Sequence, residues 1–535
     1  AEHDLLESTR GFASRVLHAE PFFVTAAKAG RKVVVLSSTQ SYPPEPHLAA
    51  LRRAGVPQED FSSFSGFEHR IADGMMHDAT ALRSAGSAWD DVERLGEAFE
   101  LQFRIAESSF HGLVFDDPGA PVDGLDSLLL RQEETQRETL LRPHQASDAA
   151  DGWSGSFRIP AGEREGNTFF RLFDLAPDGS RLALYQRTVS ALDGAHTEER
   201  LAAYREAYAG FHDPAAALYR DGRLGRPIPL GGDGTAEERY LELAAFDAKQ
   251  LEGGTRFALE TWQPDVLLHY TSITDDAGHL WIGLLDPANP EYDPQVAARI
   301  WPYYTRIYQQ LDDWLGSILR HARPDAIIAV VSDHGMSGSQ RYVYLNRVLQ
   351  EAGLLTYTSG SKIDLTRTQI LAAESAFFLR VNSRDRKGGI VSADERPQVL
   401  DAAEAALLAV TDPRSGRRVF TRIFRPEDSP ERGIDGPSSG DLYFDLAPGF
   451  YPKKGFADAT LTPSQWPWGE GTHGFWPERR DMHAIFYATG YGLKQGHLAP
   501  PMRHIDVAPT LARLAGFPAP PEATGEVIEG MMVEP

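Results

Sequence analysis

Two aspartates and three histidines stand out because their types and spacing suit the binding of divalent cations. Asp275 and His279 lie four residues apart in "DDAGH", Asp333 and His334 are adjacent in "SDHG", and His473 lies in "GTHGFW". Carboxylate oxygens and imidazole nitrogens are common zinc ligands, and three of them leave one coordination position open for water or substrate. Five can begin to serve two ions, and two cations about 4 Å apart would bind the attacking and leaving oxygens of a phosphoryl group.

Each of these motifs also has an ordinary explanation when it is taken alone. "DDAGH" can form an Asx-turn with an exposed histidine, "SDHG" can be a turn after a strand, and "THG" carries almost no information. Their order along the chain and their common position beside strands favour one metal site. His18, His47, His111 and His144 lack such a setting, so we interpret them as surface or packing residues.

Apolar strands are the elements that would position these residues. "PDVLLHYTSI" precedes Asp275, and "DAIIAVV" precedes Asp333 with the continuous apolar character of a buried parallel strand. His473 lies in a loop before a further strand, "HAIFYAT". Strands that alternate with helices predict an α/β fold, a mostly parallel doubly wound sheet sandwiched by helices. Active sites in such sheets lie at the carboxyl ends of the strands, so the five residues are expected to meet at one edge.

Other segments fit the same alternation. "EPFFVTAAKAG" predicts a helix that ends at Gly30, a residue suited to a left-handed cap, and "RKVVVLSS" predicts a strand. Apolar residues at three- and four-residue spacing predict helices near 236–262 and 294–321, with Pro302 in the early part of the second. "SAFFLRV" and "DLYFDL" predict later strands.

We divide the chain into three segments on these patterns. Residues 1–60 form the first part of the catalytic α/β core, 61–235 form an insertion or cap, and 236–535 form the remainder of the core. Within the insertion, "NTFFRLFDL" and "RLALYQRTV" flank "APDGS", a hairpin signal, so 151–192 is predicted to be a small antiparallel β cap. Residues 48–148 are mostly polar and are expected to hold several helices.

Composition limits the classes of partner. The formal net charge of −23 disfavours binding to nucleic-acid polymers and to anionic membranes. The chain has no cysteine, which excludes disulfides, thiolate metal ligands and a cysteine nucleophile. No uninterrupted run of 18 apolar residues is present, so no membrane span is predicted.

"DDAGH", "VVSDHGM" and "GTHGFW" together resemble, in order, the metal motifs of the alkaline phosphatase superfamily. The closer resemblance is to its type I phosphodiesterase/nucleotide pyrophosphatase branch. "AEPFFVTAAKAGRKVVVLS" is similar to a helix–strand segment of that branch, and "HIDVAPTLARLAGFPAP" to the C-terminal segment of the superfamily. The resemblance is strong over 17–40 and 236–520 and weak over 48–235.

The resemblance implies two divalent metal ions, most often zinc. Asp275, His279 and His473 would hold the first ion, and Asp333 and His334 the second. It also implies a threonine or serine nucleophile that attacks phosphorus in line, together with one more metal-binding aspartate. The substrate would be a small phosphate ester, either a diester, a pyrophosphate or a monoester. Most relatives of this branch act outside the cytoplasm, so an extracytoplasmic location is implied.

The sequence departs from the family pattern at the nucleophile. In the family, the nucleophile and the additional aspartate precede the segment that "AEPFFVTAAKAG" resembles, and only nineteen residues come before Glu20 here. Ser8 and Thr9 have the wrong context, and Thr39 follows the wrong strand. We therefore expect a first strand–helix unit, with the nucleophile, upstream of Ala1 or on a partner chain. Two alternatives remain: an inactive truncated relative that serves as a metal-binding scaffold or partner protein, and a replaced nucleophile.

Overall fold

A computed structural model describes residues 5–6, 11–65, 69–120, 123–143, 152–208, 215–358, 361–374, 376–434, 436 and 439–533 of the 535-residue chain. Ser8 and Thr9 lie outside the described residues. Within these ranges no helix combines the length and the apolar character needed to cross a bilayer.

The α-helices are α1 Phe22–Lys28, α2 Glu45–Arg53, α3 Glu198–Ala207, α4 Ala216–Arg220, α5 Thr235–Phe257, α6 Ile273–Leu285, α7 Pro294–His321, α8 Leu345–Glu351, α9 Arg396–Ala409 and α10 Val507–Ala515. The first strands are β1 Val33–Leu36, β2 Phe61–Phe64, β3 Arg70–Ala72, β4 Met75–Asp78, β5 Arg83–Ser84, β6 Leu95–Ile105, β7 Ser108–Asp116, β8 Ser127–Gln132, β9 Arg137–Leu141, β10 Phe157–Ala161, β11 Arg164–Thr168, β12 Phe170–Leu175, β13 Leu182–Gln186 and β14 Val189–Ala191. The later strands are β15 Val266–His269, β16 Ile327–Val331, β17 Ser337–Tyr344, β18 Ile370–Leu371, β19 Phe378–Val381, β20 Phe420–Phe424, β21 Leu442–Leu446, β22 Gly449–Lys453, β23 Leu461–Pro463, β24 Glu470–Thr472 and β25 Phe486–Gly490.

The described strands form several small sheets rather than one large parallel sheet. β1 pairs in parallel with β15 on one side and β2 on the other, and β17 pairs in parallel with β22. β19 and β21, which the sequence predicts as strands, belong to an antiparallel sheet with the order β18-β19-β21-β20. The fold is therefore mixed α/β, and the prediction of a single mostly parallel sheet is wrong for the described residues.

Most of the predicted elements themselves are present. α1 is followed by Gly30 at φ +78°, the left-handed conformation that glycine adopts without strain. α7 covers the predicted 294–321 and contains Pro302. Ile300, Tyr304, Ile307 and Trp314 lie on its buried face, since residues three and four apart share one side of a helix. β16 was expected to be buried, but Val330 and Val331 at its end are exposed.

The inserted region contains more β structure than the sequence indicates. Between residues 48 and 148 the only α-helix among the described residues is α2, and the expected further helices are absent there. β5 to β9 instead form a five-stranded antiparallel sheet in chain order. The predicted hairpin is confirmed by the antiparallel pair β12–β13, with Leu172 opposite Leu184. Whether this region acts as a cap, and where its boundaries lie, remain predictions.

The chain forms two compact units. The first unit holds Ala277–Trp301 and Val330–Tyr487 together with a short N-terminal piece that includes Leu5, and its core is built by α8, α9 and β18–β21. The second unit holds Gly11–Asp276, Pro302–Ala329 and Ala488–Pro535. One of its cores packs α1, α2 and α10 around β1 and β2, and another fills the antiparallel insertion. The division passes through the continuous helix α6, after Asp276.

Candidate metal centre

The "TDDAGH" motif forms the beginning of helix α6 rather than a turn. Asp275 and Asp276 lie in its first turn, where carboxylates interact favourably with the positive end of the helix dipole. The hydroxyl of Ser272 donates to Oδ2 of Asp276 at 3.0 Å, which gives the second aspartate a local structural partner. Asp275 and His279 are four residues apart, so they lie on the same side of the helix, one turn apart.

The pairing of β24 with β17 brings the other two motifs together. In this antiparallel register Thr472 lies opposite Ser337. His473 directly follows Thr472, and His334 precedes Ser337 by three residues. The imidazole rings of His334 and His473 are stacked, with centroids 3.9 Å apart and planes inclined by 17°. Two motifs that are about 140 residues apart in sequence therefore meet through strand pairing.

Glycines allow α6 to approach β24 closely. A Cβ placed on Gly471 would lie 2.2 Å from the carbonyl oxygen of Gly278, and one on Gly283 would lie 2.5 Å from the backbone nitrogen of Glu470. Because neither glycine has a side chain, helix and strand meet at their backbones. This contact places the ring of His279 with its centroid 5.2 Å from that of His473.

Backbone carbonyls orient two of the three imidazole rings. Nδ1 of His279 lies 2.7 Å from the carbonyl oxygen of Gly471, and Nδ1 of His334 lies 2.9 Å from that of Gly335. A carbonyl oxygen only accepts, so each Nδ1 must donate its proton, and each neutral ring then presents the lone pair of Nε2. Hydrogen bonds of this kind orient the ring and fix the tautomer of metal-binding histidines.

Three of the five predicted ligands form a compact donor set. Ligand atoms of Asp275, His334 and His473 all lie within 4.8 Å of one another. Oδ2 of Asp333 lies 3.4 Å from Nε2 of His334, and the ring of His279 lies beside that of His473. One carboxylate and two imidazoles are the donor types of an open zinc site, so the side chains fit a divalent metal ion. The predicted partition of the five ligands between two ions stays a prediction.

Tyr304 of helix α7 is a neighbour of Asp275 that sequence reasoning treated only as a core residue. Burial is the main cause that raises the pKa of Tyr304, the nearby Tyr308 raises it further, and Asp275 adds a smaller contribution. The phenol therefore remains neutral over the ordinary range of pH. The helical spacing of the tyrosine indicates only that it faces the core, and nothing in the sequence places it near Asp275.

Three aromatic residues with the potential to stack a nucleobase are engaged in packing. Trp153 stacks on Phe246 with ring centroids 3.9 Å apart. Tyr42 meets the ring of His69 edge-on, and Phe475 packs against Phe377. These contacts agree with the ordinary packing roles that are common for such residues.

The segment that carries this site also matches a known family. Residues 210–476, which include all five predicted ligands, match the family model of type I phosphodiesterase/nucleotide pyrophosphatase. This segment is therefore similar to that family in sequence. No curated protein matches the chain.

The solved structures that resemble this chain share little of its sequence. Wild-type alkaline phosphatase PafA is 16% identical with a TM-score of 0.34, and the match covers 57% of this chain and 55% of PafA. Murine ectonucleotide pyrophosphatase/phosphodiesterase 5, in an inactive form in complex with AMP, is 18% identical with a TM-score of 0.34. That match covers 54% of this chain and 64% of the murine protein. The chain thus spans between half and two thirds of the length of these structures.

Proposed function

We propose that this protein is a metal-dependent hydrolase of phosphate esters, similar to phosphodiesterases and nucleotide pyrophosphatases. The observation that carries the proposal is the donor set of Asp275, His334 and His473, within 4.8 Å, inside a segment that matches the phosphodiesterase family model. Asp275, His279 and His473 would hold one divalent ion, and Asp333 and His334 a second, with zinc the best match to these donor types. When bound, the ions would polarise the phosphoryl oxygens and lower the pKa of the attacking hydroxyl.

The residues of the chain have a narrower role, which is to hold these donors in place. The carbonyls of Gly471 and Gly335 keep His279 and His334 in the tautomer whose Nε2 can ligate. The acidic surface, with a formal net charge of −23, favours a small phosphate ester over a nucleic-acid polymer as substrate. An extracytoplasmic location is part of this proposal by family resemblance.

The nucleophile is proposed to be a threonine or serine on an additional strand, upstream of Ala1 or on a partner chain. Two apolar strands support this proposal. β15 pairs only with β1 among the described strands, and its residues from Val266 to His269 are all partly exposed. β16 pairs only with β25 in the same part of the chain, and Val330 and Val331 are 36% and 39% exposed. Free edges of apolar strands are normally covered, because they otherwise promote association.

A metal-binding scaffold without turnover is the second candidate function. It is supported by Thr39, a described hydroxyl residue after β1 that follows the wrong strand for the family's nucleophile and whose Oγ1 donates to Oε1 of Gln40 at 2.7 Å. A scaffold would bind ions at the same donors and hydrolyse nothing.

Hydrolysis of a chromogenic phosphodiester by the native full-length protein tests the two candidates. We expect activity that a chelator abolishes and that added zinc restores. His473→Ala should lower this activity by about 100-fold, the upper end of the range that is typical for groups that support a metal site. His111→Ala is the matched control, because this histidine lies on β7 and pairs with Glu133. Ion binding that depends on His473 without any hydrolysis would favour the scaffold, and activity that survives both chelation and His473→Ala would contradict the proposed function.

A further inference from the structure

Arg479 joins three segments of the first unit. Its Nη2 donates to Oγ of Ser337 at 2.9 Å and to Oδ2 of Asp481 at 2.6 Å, and its Nε donates to Oδ1 of Asp481 at 3.1 Å. Its Nη1 donates to the carbonyl oxygen of Leu446 at 3.1 Å. The side chain is only 15% exposed. A side chain held by several directed hydrogen bonds keeps the segments it joins at fixed distances.

Two of the segments that Arg479 contacts carry histidines of the proposed metal site. Ser337 is the first residue of β17 and follows His334 by three positions. The guanidinium carbon of Arg479 also lies 4.0 Å from the ring centroid of Phe475, which follows His473 by two positions. Arg479 therefore contacts both histidine-bearing segments, one by a hydrogen bond and the other by stacking.

The residues after Arg479 pack on the turn that carries His334. The amide of Gly335 donates to the carbonyl oxygen of Met482 at 3.0 Å, and a Cβ on Gly335 would lie 2.1 Å from the carbonyl oxygen of Asp481. Burial alone would raise the pKa of Asp481, but hydrogen bonding and charge from Arg479 outweigh it and hold that pKa below its usual value. Asp481 thus stays ionised, and its pairing with Arg479 persists at neutral pH.

We propose that Arg479 is a positioning residue that holds His473 against His334 in the separation that metal binding requires. The inference rests on the proposed function, since it assigns Arg479 a role at the same site. The rings of His334 and His473 are stacked, with centroids 3.9 Å apart. Ser337 and Phe475, which follow these histidines, both contact the guanidinium of Arg479. Its planar fork makes parallel hydrogen bonds to Asp481 while its face lies on Phe475. Lysine carries the same charge but cannot reproduce this geometry.

Arg479→Lys, compared with Arg432→Lys, tests the assignment. Arg432 is a matched control, because it is also 15% exposed, pairs with Glu478 and lies over the ring of Trp476, yet within the described part of the chain it makes no hydrogen bond to the segment of His334 and Ser337. We expect the zinc affinity of folded Arg479→Lys, measured by competition with a chromogenic chelator, to fall by about 10- to 100-fold, as is typical for residues that support metal ligands. The visible absorption spectrum of the cobalt-substituted protein should change as well, and Arg432→Lys should leave both properties as in the wild type.

A folded Arg479→Lys protein with wild-type zinc affinity and a wild-type cobalt spectrum would overturn the inference. If this variant does not fold, Ser337→Ala removes one of the contacts and should weaken zinc binding in the same direction, and unchanged affinity there would be equally decisive. A wild-type protein whose ion binding does not depend on His473 would contradict the proposed function instead, so the two failures are distinguishable.

Discussion

At the scale of single residues, the site depends on which nitrogen of each histidine carries the proton. His279 and His334 each have a backbone carbonyl oxygen at Nδ1, which fixes the proton there and leaves the lone pair of Nε2 available for a metal ion. The sequence identifies five candidate ligands by residue type and spacing, because metal ligation needs specific donor atoms, and their assignment as ligands stays a prediction. The tautomers could not, because they depend on carbonyls of Gly335 and Gly471 whose positions come from the folded backbone.

The contacts of Arg479 could not be predicted from the sequence either. It lies in "WPERRDMH" among many arginines, and neither its type nor its spacing indicates that it contacts Ser337 and Phe475. Such contacts depend on how distant segments pack, which a local pattern does not contain.

Asp412 allows a prediction about pH at this scale. Burial alone would raise its pKa, but hydrogen bonds from Ser415, the amide of Arg414 and the guanidinium of Arg341 lower it to about 2. A carboxyl whose folded-state pKa is depressed adds stability that is complete above its unfolded pKa and is lost as the pH falls through the folded value. Asp412 should therefore stabilise the fold fully above about pH 4, and this contribution should disappear towards pH 2.

Urea unfolding of Asp412→Asn as a function of pH checks this expectation. The variant should be less stable than the wild type near pH 6, and the difference should shrink between pH 4 and pH 2. Asp458→Asn, at an exposed position of the same unit, is the control. A constant difference between Asp412→Asn and wild type across that range would contradict the assigned pKa.

At the scale of elements, register and close packing bring the motifs together. The pairing of Ser337 with Thr472 fixes the relative positions of the strand ends, and the glycines of α6 and β24 set the distance between helix and strand. The sequence predicts that "SDHG", which precedes β17, and the motif at the start of α6 each lie next to a strand. It does not predict which strands pair with each other. Pairing depends on contacts between residues far apart in sequence, whereas propensity and periodicity are local.

The region 48–148 illustrates why several helices were expected and strands were found. β6, with the sequence "LGEAFELQFRI", contains two glutamates, two leucines, an alanine, a glutamine and an arginine, all residues that favour helices in isolation. It nevertheless pairs with β7 over most of its length, with Phe103 opposite Phe110. Burial of Leu101 and Ile105 in the insertion core outweighs the local preference.

Gly471→Ala tests the close contact between α6 and β24. The added methyl group would lie 2.2 Å from the carbonyl oxygen of Gly278, so helix and strand must separate. We expect a loss of about 1–3 kcal/mol in the free energy of unfolding, as for other overpacked sites, and weaker zinc binding. Gly455→Ala is the control, because the nearest atom to its new Cβ is a ring carbon of Tyr344 at 3.8 Å. Denaturant unfolding and zinc titration of both variants measure these effects, and equal stability of the two would argue against the contact.

At the scale of the whole molecule, three features support the proposed function: the family match, the donor set of Asp275, His334 and His473, and the apolar edges of β15 and β16. The family match spans 210–476 and so reaches from the second unit into the first. The sequence predicted the family match, because the motifs are local and specific as a set, whereas the assignment of the five ligands stays a prediction. It predicted the arrangement of sheets incorrectly, because strands of similar apolar character can pair in several ways.

Our main proposal is that Asp275, His334 and His473 belong to one centre that binds divalent metal ions, and anomalous diffraction from crystals of the zinc-loaded native protein at the zinc absorption edge tests it most directly. We expect an anomalous peak beside these three side chains, with imidazole nitrogens at about 2.0–2.1 Å from the nearest ion. Zinc bound elsewhere while Asp275, His334 and His473 are well ordered would contradict this proposal. Crystals that hydrolyse a phosphodiester but contain no zinc would contradict it as well.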